Sequence, residues 1–78
     1  MPPTKTSILL GHLRAGDWQR ALSMAATFRM LPPEIMLAIR RGHAARTNPR
    51  LYAGMGEDPT QLVEAGRAAL MTQWGARL

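Results

Sequence analysis

The side chains able to do acid–base chemistry are few. The carboxylates are Asp17, Glu34, Glu57, Asp58 and Glu64. All but Glu64 stand at or just before expected helix starts, where capping and the positive helix end account for them. Glu64 precedes Arg67 by one helical turn, the spacing of an ordinary surface ion pair. No two carboxylates share a face in the manner of a general acid and base. Ser7 and Ser23 lack the Gly-x-Ser-x-Gly setting of a hydrolase nucleophile. His12 and His43 lie far apart and neither has an HxxxH partner, so no metal site is expected. His12 falls among apolar positions and reads as a buried or half-buried imidazole. The absence of cysteine removes disulfides, zinc knuckles, iron–sulfur clusters and thiol catalysis together. The expectation is a protein with no catalytic residue, metal or cofactor, one that acts by binding.

Arginine is the one asymmetric resource. Arg40, Arg41, Arg46 and Arg50 follow one another with no acid between Glu34 and Glu57, and Asn48 and Tyr52 lie among them. Guanidinium groups beside a side-chain amide and an aromatic ring grip phosphate backbones or splayed bases. These six residues are the candidate surface for a partner or a nucleic acid. The competing account is a solvated face, with Arg41 and Arg46 offsetting the negative helix end. A helix-turn-helix reader would draw base contacts from the N-terminal part of its recognition helix. Here that part is Glu34-Ile35-Met36-Leu37, apolar and acidic, so contact with phosphate is expected rather than sequence reading. A second set, Met36 with His43 and Met71 with Arg67, suits a protein interface, because Met and Arg are enriched there. Adaptable core filling is the ordinary role of methionine.

The elements that must position these residues are helical. Thr4 caps a first helix from Lys5 to about Ala15, with Ile8, Leu9, His12 and Leu13 on one face, and Gly16 ends it. Asp17 caps a second from Trp18 to about Arg29, with Trp18, Ala21, Leu22, Ala25 and Phe28 forming one arc. Leu31-Pro32-Pro33 breaks that helix. Pro33 and Glu34 start a third, ending near Arg46, in which Gly42 lies on the apolar arc and lets another helix approach. Asn48-Pro49 ends it, and residues 50–58 read as a loop or one short turn. Asp58-Pro59-Thr60-Gln61 carries a cap, Pro at the first position and a Gln in capping-box position. It opens a fourth helix to about Trp74, with Leu62, Val63, Gly66, Ala69 and Leu70 inward. No strand-like alternation is present.

The chain has 78 residues, so it holds one domain, with 1–4 and 75–78 expected to fray. An apolar fraction of 46% is that of a folded globule. Ten Lys+Arg against five Asp+Glu give +5, which favours polyanions or acidic surfaces. Nine of the ten basic residues are arginine, a ratio that codon bias in a GC-rich genome would also give. Apolar runs fall far short of the ~20 residues of a membrane span, and the N-terminus has no signal-peptide pattern, so a cytoplasmic protein without membrane contact is expected. Together these features predict an all-α, compact bundle of about four short helices.

Two resemblances attach to quoted residues. Leu13-Arg14-Ala15-Gly16-Asp17-Trp18 through Ala21-Leu22 resembles the hairpin of a tetratricopeptide helix pair, in a single copy. More broadly, Arg14-Ala15-Gly16-Asp17-Trp18, Asn48-Pro49-Arg50 with Tyr52, Gly56, Asp58-Pro59, Leu62, Gly66 and Ala69-Leu70 resemble small phage and prophage proteins of proteobacteria. That likeness implies a mobile-element accessory protein inside a host cell, but assigns no activity and no site residues. By analogy with anti-CRISPR inhibitors, the expected partner is a host protein or ribonucleoprotein complex that the chain docks on and obstructs. The alternatives are direct binding of DNA or RNA, and a phage assembly component. The positive charge has the wrong sign for DNA mimicry.

Overall fold

Local backbone chemistry sets most of the helix boundaries. A computed structural model describes residues 4–78; the rest of the expected N-terminal fray lies outside them. Its elements are α1 (Lys5–Arg14), α2 (Trp18–Ala25), α3 (Pro33–Thr47), α4 (Pro49–Gly54) and α5 (Pro59–Trp74), followed by a 3₁₀ turn over Gly75–Arg77. The fold is all-α, with no strand among the described residues.

The Thr4 side chain accepts from the Ser7 amide at 3.1 Å, and the Asp17 carboxylate from the Arg20 amide at 3.4 Å. Both satisfy orphan donors of a first turn. Between α1 and α2, Gly16 takes φ +78°. The Asp17 amide donates to the His12 carbonyl and the Gly16 amide to the Leu13 carbonyl, the paired bonds of a Schellman close. The same pattern recurs after α4, where Gly56 takes φ +81°, Glu57 N donates to Tyr52 O and Gly56 N to Ala53 O. Residues 50–58, expected as a loop or one short turn, thus begin in a short helix, Pro49–Gly54, with a formal stop. Its signature was Pro49 at the first helical position and Gly just beyond the last.

α2 is shorter than its apolar periodicity suggests. It stops at Ala25, and just beyond it the Thr27 hydroxyl donates to the Met24 carbonyl at 2.7 Å. The chain then tightens, and Phe28 meets Trp74 edge to face, ring centroids 5.6 Å apart. Lys5 closes over the same Phe28 ring at 5.5 Å while donating to Thr27 Oγ1.

The core joins Leu9, Ala21, Leu22, Ala25, Ile39, Ala69, Leu70 and Trp74. Ile8, expected on the inward face of α1, is 38% exposed. Trp74, expected only as a helix end, is instead buried, because the α5 stripe continues to its last residue. The frame is the antiparallel pair of α3 and α5. A Cβ on Gly42 would lie 2.9 Å from the Leu62 carbonyl oxygen, and one on Gly66 3.1 Å from the Ala38 carbonyl oxygen. The two backbones thus touch through facing glycines, so the close approach expected at Gly42 is real. α2 leans on this pair, with Leu22 Cδ1 reaching toward Gly66. Residues 75–78, expected to fray, carry the 3₁₀ turn, and Arg14 donates to the Arg77 carbonyl at 3.1 Å.

Candidate polyanion-binding surface

The acid-free stretch folds into the second half of α3 and all of α4. Asn48 ends the one helix and precedes the other, at φ −141°, and its side chain caps neither. Pro49 then forces a new helix axis, since it cannot donate into the α3 ladder. Arg46, Asn48 and Arg50 are exposed around this corner, while Tyr52 is half-buried on α4. Among the described residues the one ion pair is Arg20 Nε with Asp17 at 3.2 Å. Arg40, Arg41, Arg46 and Arg50 are thus exposed and unpaired with any described carboxylate.

Helical phase decides how far these arginines act together. Each residue advances about 100°, so Arg40 and Arg41 diverge by about 100° and Arg41 and Arg46 by about 140°. They encircle the end of α3 rather than share one flat face. Arg41 borders a groove of about 260 Å³ between α3 and α5, with Glu34, Leu37, Ala38, Leu62 and Ala65. Arg46 borders a different groove, of about 340 Å³, with Trp18, Pro49, Pro59, Val63 and Glu64. The structure therefore gathers Arg46, Asn48 and Arg50 at the corner and sends Arg40 and Arg41 elsewhere.

Sequence reasoning missed Trp18. Its indole lines the Arg46 groove, and the Arg67 guanidinium stacks over its ring at 5.1 Å. Arg67 accordingly does not form the expected pair with Glu64. Aromatic and guanidinium groups from α2, α3 and α5 converge there, a combination that only their packing creates. The methionine set divides: Met71 is 49% exposed, whereas Met36 is half-buried. His43 is half-buried as well, its carbonyl accepting from the Thr47 hydroxyl at 3.1 Å and its Nδ1 lacking a described partner.

Two of the acids perform local work. Asp17 and Asp58 cap α2 and α5, the latter accepting from the Thr60 amide at 3.0 Å rather than from Gln61 as the capping box implied. Among the described residues, no helix is long and apolar enough to cross a membrane. In comparison with known proteins, no family model, curated protein or solved structure matches this chain.

Proposed function

We propose that this protein is a non-enzymatic docking domain that seats the α3–α4 corner on a phosphate-bearing host assembly and obstructs it. One observation carries the reading. Arg46 and Arg50 stand exposed on either side of Asn48 and form no ion pair with a described carboxylate, in a chain of net charge +5. Unpaired guanidinium groups retain their donors for phosphate oxygens, which they bind in bidentate geometry. A host ribonucleoprotein presents such oxygens on a fixed path, and a small helical domain lodged there blocks access. The host context of this proposal rests on the sequence's resemblance to small phage and prophage proteins.

A second reading, direct binding of single-stranded nucleic acid, draws on Trp18. Its ring offers a stacking surface beside Arg46, as in sequence-tolerant strand grooves. The two readings separate in one experiment. Labelled duplex DNA, single strands and RNA are titrated with the protein over a salt series. Direct binding weakens by about tenfold or more from low to moderate salt when several phosphates are neutralised. It also perturbs Trp18 fluorescence. Retention on a host nucleoprotein, with no binding to free nucleic acid at low salt, selects the obstruction reading. If R46E/R50E leaves both kinds of binding unchanged, the corner is not the contact surface.

A further inference from the structure

The apolar groove between α3 and α5 carries a charge pattern that the corner does not use. Its α3 wall is Glu34, Leu37, Ala38 and Arg41, and its α5 wall is Leu62 and Ala65. Leu37 is 51% exposed, a large apolar side chain left uncovered at mid-helix. Glu34 and Arg41 lie on the same side of α3 but two turns apart, about 10 Å along the axis, too far to pair with one another. Neither has another charged partner among the described residues.

We propose that this face binds a second copy of the chain through an antiparallel α3–α3 contact on a twofold axis. The order acid, large, small, base along the stripe is its own complement when reversed. An axis passing between Leu37 and Ala38 sets Glu34 of each copy against Arg41 of the other. It also lays each Leu37 over the other copy's Ala38. In such an isologous contact every favourable pair forms twice. The central apolar pair is flanked by opposite charges and by the uncharged α5 wall, so nothing in the groove opposes the match. A partner of unrelated sequence would need to reproduce this spacing, whereas a second copy has it by symmetry. Arg41 then serves self-association, which leaves Arg46 and Arg50 of both copies free.

Sedimentation equilibrium over a concentration series tests this. The wild-type chain is expected to approach twice its 8.6 kDa mass below roughly 1 mM. L37E should weaken association by more than about tenfold, as should E34R or R41E alone, because each places like charges or a buried charge across the axis. The double variant E34R/R41E restores opposite charges at both contacts and should recover the dimer. Every substituted side chain is exposed, and circular dichroism confirms retained helix in each. A wild-type monomer throughout the series overturns the proposal. So does a dimer indifferent to L37E, or a double variant as weak as the single ones.

Discussion

At the crossing of α3 and α5, a methyl group on Gly42 would press against the Leu62 carbonyl oxygen at 2.9 Å and Gly66 Cα at 3.0 Å. Both atoms belong to a helix backbone, which cannot step aside as a side chain can. G42A should therefore destabilise the protein, with overpacking of about 1–3 kcal/mol exceeding the helix-propensity gain of up to about 1 kcal/mol. Gly11 is the control. It is exposed within α1, and a Cβ there meets nothing within 4 Å. G11A should stabilise by about 0.5–1 kcal/mol. Denaturant midpoints of the two variants should move in opposite directions. Also at this scale, R46E/R50E should abolish the anionic-partner binding proposed for the corner, while R40E, on another side of α3, should have the smaller effect. Binding isotherms at fixed salt compare them.

At the scale of elements, stop and start signals do most of the work. α4 and α5 are separated by only a few residues, yet Gly56 and Asp58 define the end of one and the start of the other. D58A deprives the Thr60 amide of its acceptor and should cost about 1 kcal/mol. In a domain this small that lowers the melting temperature by about 4–8 °C. G16A and G56A force an alanine into the left-handed region, at about 1–2 kcal/mol each. By contrast, the Asp17–Arg20 pair, with the arginine side chain 76% exposed, contributes little beyond the cap.

For the whole molecule, the core is thin. Its largest fully buried side chains are Leu9, Leu22, Ile39 and Leu70, one from each long helix. Leu70→Ala should therefore cost about 2–5 kcal/mol, a large part of a stability on the order of 5–10 kcal/mol. Thermal unfolding of L70A should begin well below that of the wild type. Self-association through the α3 stripe would add stability that depends on protein concentration. The melting temperature of the wild-type chain should rise with concentration, and that of L37E should not.

The sequence by itself determined the helical class, the caps at Thr4, Asp17 and Asp58, the stop at Gly16 and the inward placement of Gly42 and Gly66. Each of these rests on backbone sterics or on a hydrogen bond spanning a few residues, which local sequence states outright. Tertiary structure decided the rest. α2 stops short where Phe28 turns onto Trp74, and Arg67 leaves Glu64 for the Trp18 ring. Arg41 and Arg46 border different grooves because α5 and α2 pack against different stretches of α3, while Arg50 lies on α4. Such outcomes depend on which distant helix lies alongside, and a periodic pattern records that a face is apolar without naming the surface that will cover it.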